Sequence, residues 1–171
     1  SSEFIANYDG TYPGTYVREP AEYRYTWGTV PWTYSSATAT ITLYEGEGGT
    51  AATAPWQGVT DVQRIVVAES VVLPQDSGAL FQQLQSLTVI EHGENFDTSR
   101  VQNMGFMFDG ARNLREVDVS QWATSNVTDM SHMFREMESL QQVDVSQWDT
   151  SQVTDMSWMF MGDSSLTSLD V

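Results

Sequence analysis

The sequence predicts an α/β repeat fold: a solenoid with one parallel strand and one short helix per repeat, preceded by a β-rich N-terminal cap. Three observations carry this. The stretch "WATSNVTDMSHMF" at Trp122–Phe134 recurs 26 residues later as "WDTSQVTDMSWMF" at Trp148–Phe160. The register then holds well beyond that stretch: Val101, Val127 and Val153 align, as do Met104, Met130 and Met156, Phe108, Phe134 and Phe160, and Leu114, Leu140 and Leu166. Composition also changes along the chain, since all seven Tyr lie between Tyr8 and Tyr44. Self-similarity at a fixed period is the mark of a solenoid, whose units cannot bury their apolar faces alone.

Taken from the N-terminus, residues 1–26 read as an extended, loosely attached arm. Tyr8, Tyr12 and Tyr16 are four apart, but Gly10, Pro13 and Gly14 between them oppose a helix. Residues 27–75 read as the β-rich cap. "ATATITLYEGEGG" (Ala37–Gly49) alternates apolar residues with Thr and ends in a turn. "VTDVQRIVVAESVVL" (Val59–Leu73) reads as one or two more strands. Residues 76–171 are the repeats: a degenerate first unit in "ALFQQLQSLTVIEHGENF", then 96–121, 122–147 and 148–171.

Within each unit, "LREVDV", "LQQVDV" and "LTSLDV" follow the L-x-x-L-x-L spacing of a leucine-rich-repeat strand. Side chains alternate along a strand, so Val117 and Val119 should point inward, and Glu116 and Asp118 outward. "SQWATSN" then supplies turn formers, with Thr124 or Ser125 as a helix cap and Asp129 in the first helical turn. Val127, Met130 and Phe134 fall on one helical face. The predicted spine is Phe96, Trp122 and Trp148 in one column, and Phe108, Phe134 and Phe160 in another.

"WDTSQVTDMSWMF" followed by "SSLTSLDV" resembles the BspA-like leucine-rich repeat of bacterial surface proteins, common in lactic acid bacteria, mycoplasmas and oral and gut anaerobes. The likeness is close over 96–171 and looser over 70–95. It implies an exported adhesin that binds host matrix proteins, mucins or other cells, placed at the bacterial cell surface or wall.

Charge narrows the classes independently. There are 23 acidic residues against seven basic ones, all Arg, and the formal net charge is −16. Nucleic acid, which requires a basic surface, is excluded as a partner. No stretch of about 18 apolar residues is available to cross a membrane. There is no cysteine, so neither a disulfide framework nor a thiolate site can form. No nucleophile elbow, phosphate loop, HExxH or EF-hand pattern occurs. The expectation is therefore no enzyme, no cofactor and no metal. His92 aligns with Val119 and should be buried, and His132 takes a variable position. "NVT" at Asn126–Thr128 matches a glycosylation sequon but reads better as local capping geometry.

The candidate binding residues lie on the outward face of the strands. Glu91, Asp118, Asp144 and Asp170 occupy one position in successive units, with Glu116, Gln142 and Ser168 beside them. Parallel strands sit about 4.8 Å apart, so these carboxylates should form a ladder. Like charges at that spacing repel by roughly 1 kcal/mol per neighbour in water. The plain reading is a solvated acidic face with local hydrogen bonds; the functional one is a docking stripe for a cationic partner. A calcium site would require about six to eight oxygens. The partner expected is a host extracellular protein or glycoprotein bound by the repeat surface. The alternative is a passive stalk, with carbohydrate or protein binding in the Tyr-rich N-terminal region or in a region C-terminal to the repeats. The final "SLTSLDV" reads as mid-strand, so end-to-end self-association is also expected.

Overall fold

The computed structural model describes residues 15–19 and 22–170, with side chains from Tyr25 onward. The chain is a β-solenoid of about five turns with almost no helix. It opens with an antiparallel meander of β1 (Thr15–Glu19), β2 (Glu22–Trp27), β3 (Val30–Ser35) and β4 (Thr40–Leu43). From β4 onward every pairing is parallel. The backbone passes once round the solenoid through β5 (Gly46–Glu47) and reaches β6 (Arg64–Val67) beside β4. It then runs through β7 (Val71–Val72) to β8 (Val89–Glu91), which pairs with β6.

One sheet therefore runs β1-β2-β3-β4-β6-β8, and a bridge between Val89 and Glu116 carries it into the next turn. A second, narrower ladder joins β5, β7 and β9 (Phe96–Asp97). A third side is made of single bridges, Asp76 to Asn103 to Asp129 to Asp155. The strand side closes with β10 (Gln142–Asp144) paired to β11 (Ser168–Asp170).

The expected short helices are absent: no α-helix occurs among the described residues, which hold only three-residue 3₁₀ turns at 51–53, 55–57 and 93–95. The physical reason lies in where alternate N–H groups point. Those of Met130, His132, Phe134 and Glu136 donate to the carbonyls of Asp155, Ser157, Met159 and Met161 one turn further on, at 2.7–2.9 Å. Bonds directed between turns cannot also run i to i−4 along a helix. The left-handed backbone of Phe106, His132 and Trp158 (φ 58°, 57° and 59°) breaks the right-handed path at the middle of each presumed helix. The predicted caps have other tasks. Thr124 Oγ1 donates to Asp149 O (3.2 Å) in the next turn, and Asp129 Oδ1 accepts both the N–H and the hydroxyl of Ser131 (2.8 and 2.7 Å).

Two further expectations change. The loosely attached arm over residues 1–26 does not hold for 15–19 and 22–26, which are paired in the main sheet; residues 1–14 lie outside the described ones. β2 spans the expected boundary at 26/27, and solenoid stacking already starts at β4, inside the predicted 27–75 cap. His92 is exposed rather than buried. Its backbone is left-handed (φ 60°), and its Nδ1 lies 3.1 Å from Glu94 Oε1.

The core is one column of stacked rings. Trp56 lies on Phe81 (5.0 Å), Phe81 on Phe108 (5.2 Å), Phe108 on Phe134 (5.5 Å) and Phe134 on Phe160 (5.4 Å), with the last two pairs within 5° of parallel. The second predicted column is not Trp on Trp. Trp122 meets Phe96 edge to face (6.3 Å) and Phe108 (6.1 Å), and Trp148 meets Phe134 (6.2 Å). Each indole also donates to a backbone carbonyl of the preceding turn: Trp122 to Gly93 O and Trp148 to Val119 O, both 2.9 Å. Met104, Met107, Met130 and Met133 fill the remaining interior, while Met156, Trp158, Met161 and Leu169 are exposed on the last turn.

These contacts predict the effect of removing one indole. Trp122→Ala should destabilise the fold by about 3–5 kcal/mol, since it opens a cavity and removes the indole donor that the Gly93 carbonyl accepts besides the Phe96 N–H. That is a large part of the roughly 5–15 kcal/mol available to a domain. Trp158→Ala, at a side chain 57% exposed, should cost about 1 kcal/mol or less. Urea melts of the two variants should therefore separate widely; coincident melts would place Trp122 outside the core.

Candidate functional site

The strand side of the solenoid presents an open groove of about 840 Å³, lined from Val89 to Asp170 by four successive turns. The seven residues singled out in the sequence, Glu91, Glu116, Asp118, Gln142, Asp144, Ser168 and Asp170, all line it. The pairing explains why. Gln142 faces Ser168 and Asp144 faces Asp170 across the β10–β11 pair. The bridge from Val89 to Glu116 sets the same register two turns earlier, which brings Glu91 level with Asp118. Strand alternation does the rest: Val117, Val119 and Val143 are buried, so Glu116, Asp118, Gln142 and Asp144 face outward.

Two of the carboxylates, Asp118 and Asp144, are held in a common pose. Asp118 Oδ1 accepts the N–H (3.0 Å) and hydroxyl (2.6 Å) of Ser120, and Asp144 Oδ1 accepts those of Ser146 (3.0 and 2.7 Å). This is an Asx turn closed by a serine, and it leaves the Oδ2 atoms without a hydrogen bond among the described residues. The Ser146 hydroxyl, then its N–H, holds the Asp144 carboxyl below its usual range. At the N-terminal end of the groove Arg64 pairs with Glu91 (3.1 Å). No other cation bonds a groove carboxylate among the described residues, so negative charge accumulates towards Asp144 and Asp170.

A second acidic column went unrecognised in the sequence. Asp76, Asn103, Asp129 and Asp155 sit on the bridged third side. Asp129 and Asp155 repeat the serine-closed turn, through Ser131 and Ser157. Asn103 interrupts the acids as a donor to Asp76 Oδ1 (3.0 Å), while its own Oδ1 accepts Gly105 N–H (2.8 Å). The Asp-x-Ser that recurs at the same phase in Asp129–Ser131 and Asp155–Ser157 is the signal for it. It was assigned to a helix start instead. Beside it runs a ring column, Phe106 on His132 (4.3 Å, 7°) and His132 near Trp158 (5.5 Å).

The remaining expectations about chemistry can be placed. Asn126 of the sequon donates through Nδ2 to Ser99 O (2.9 Å). Among the described residues no three His, Cys, Asp or Glu side chains come together in a way that could hold a metal ion. The groove offers oxygen acceptors in a row at strand spacing and an anionic field, which suits cationic groups distributed along a ligand.

The serine closure predicts a titration. In Ser146→Ala the Oγ donor is lost and the backbone N–H remains, so the Asp144 pKa should rise towards the ordinary carboxylate value. The sign is that of a depressed acid: wild-type Asp144 stays ionised to lower pH than the variant. Side-chain carboxyl NMR titration reads this directly; an unmoved Asp144 would mean that the hydroxyl contributes nothing to the pose.

No curated protein matches the chain. A crystal structure of a leucine-rich cell surface protein from Faecalibacterium prausnitzii A2-165 aligns with 83% of this chain at 18% identity and a TM-score of 0.40. This chain spans 38% of the length of that one. The family described as "Mycoplasma protein of unknown function, DUF285" matches residues 76–169, which is more than half of the chain and covers the solenoid turns that build the groove. By that match the chain belongs to this family.

Proposed function

We propose that the chain is a binding module of a bacterial exported protein, and that the groove on its strand side takes a cationic segment of a partner protein or glycoprotein. The observation that carries this is the column Glu91, Asp118, Asp144 and Asp170, with one cation among the described residues, Arg64, paired at one end only. Like charges stacked at about 4.8 Å work against folding, and Asn or Thr at those positions would keep the strand without that repulsion. The Asx turns lock the acids in one pose, which lowers the ordering cost on binding.

Adhesion at the cell surface or wall is the setting that the resemblance to BspA-like repeats supports. Host matrix protein or mucin is the class of partner that follows from it. The alternative, carbohydrate stacking on the aromatic N-terminal region, loses four of its described rings to the core. Tyr25, Trp27, Trp32 and Trp56 are all buried.

The test uses an Arg-rich peptide as probe, with a Gln-for-Arg peptide of equal length as control. Binding should fall as salt rises, because rim charge pairs are screened within about 10 Å at 0.1 M. Asp118→Asn together with Asp144→Asn should weaken binding on the order of tenfold. Binding that ignores salt and is unchanged in the double variant would leave the column a solvated face and sink the proposal.

A further inference from the structure

Aligned turns place Ala111, Met137 and Asp163 in one column, three residues before Leu114, Leu140 and Leu166. Ala111 and Met137 are fully buried core residues. Asp163 stands in an apolar column, at the junction between the last two turns. Its Oδ1 accepts the N–H of Met137 (2.9 Å), and its Oδ2 is buried with no hydrogen-bond partner among the described residues. Its own backbone is tied into the last turn, since its N–H donates to Phe160 O (3.4 Å) and its carbonyl accepts Leu166 N–H (3.2 Å).

The charged groups packed near this junction do not rescue the carboxylate. Arg112 reaches down from the turn above, but it is committed to Glu136 (3.1 Å) and Glu138. Arg135 is committed to Asp109 (2.9 Å). Glu136 lies over Gly162, where an added Cβ would meet its Cγ at 3.3 Å, so the nearest ionisable neighbour is another acid. An ionised Asp163 thus carries a charge with one donor, in a site that excludes water from one oxygen.

We propose that Asp163 makes the junction of the last two turns a proton-dependent latch, tight when the carboxyl is neutral and loosened when it ionises. Neutral, the acid still accepts the Met137 N–H and buries no charge. Ionised, it favours conformations in which the last turn lifts and Oδ2 meets water. Burial pushes the carboxyl up to about 7, against the Met137 hydrogen bond, from an ordinary 3.8. For a raised acid the stabilisation is fully present below the ordinary value and is lost as pH rises through the folded one. The latch therefore closes in mild acid and opens across neutrality. The groove residues Ser168 and Asp170 belong to the turn that moves.

Hydrogen exchange on the whole chain tests this, with rates expressed as protection factors to remove the intrinsic pH dependence. The reporters are the amides of Glu136 and Met137, which donate across the junction, and of Thr167, which donates to Gln141 O. Their protection should fall on the order of tenfold between about pH 5 and about pH 8, while that of Phe81 and Phe108 stays level. In Asp163→Asn the reporters should be level across that range. Asp163→Met, which restores the residue of the preceding turn, should be level and at least as protected as wild type in acid. Wild-type protection that does not change with pH, or the same loss in the Met variant, would overturn the proposal.

Discussion

The structure depends on one set of hydrogen bonds, those that run from each turn to the next. Met104, Phe106, Phe108 and Gly110 donate to the carbonyls of Asp129, Ser131, Met133 and Arg135, and the same four positions 26 residues later repeat the pattern. Every second N–H is committed this way, so each turn must return to the same phase above its neighbour. The cost of the tight path is visible in the backbone. Phe106, His132 and Trp158 adopt left-handed angles in one column, where a non-glycine residue costs roughly 1–2 kcal/mol.

Vertical register turns each position of the repeat into a column. For apolar residues this is favourable, because rings at 5.0–5.5 Å exclude water on both faces. For the indoles it has a second use, since Trp122 and Trp148 each satisfy a carbonyl of the turn before. For carboxylates it is unfavourable, and the chain handles its acid columns differently. Asn103 separates Asp76 from Asp129 as a neutral donor, and Arg112 spans Glu136 and Glu138. Among the described residues the groove column has only Arg64, at one end. That contrast sets the groove apart from the other charged stacks.

The same logic makes the last junction unlike the others. Ala111 and Met137 fill their place with apolar volume. Asp163 fills it with a group whose charge depends on pH. A solenoid is held turn by turn, so a change at one junction is felt in that turn and little beyond it. The turn concerned carries the end of the groove where negative charge is least compensated.

Much of this was legible in the sequence. The 26-residue period, the stacked Phe108–Phe134–Phe160 line, the inward Val117, Val119 and Val143 and the outward acids all follow from repeat spacing and strand alternation, which are local rules. The convergence of seven residues on one groove needed nothing more than that register. The helix did not follow, although Val127, Met130 and Phe134 have helical spacing. The same spacing serves a chain that sends alternate N–H groups to the next turn, and only the neighbouring turn decides between the two. His92 failed for a related reason: alignment placed it inward, but its left-handed backbone turned it out. Asp163 reads in the sequence as an ordinary turn acid in "GDSSL". Its single donor is the Met137 N–H of the turn above, and its Oδ2 is buried without a partner among the described residues. The sequence by itself determined the period and the face of each side chain, because those depend on spacing along one chain. The tertiary structure alone decided the direction of the hydrogen bonds and the surroundings of the Asp163 carboxyl, because both depend on what the adjacent turn supplies.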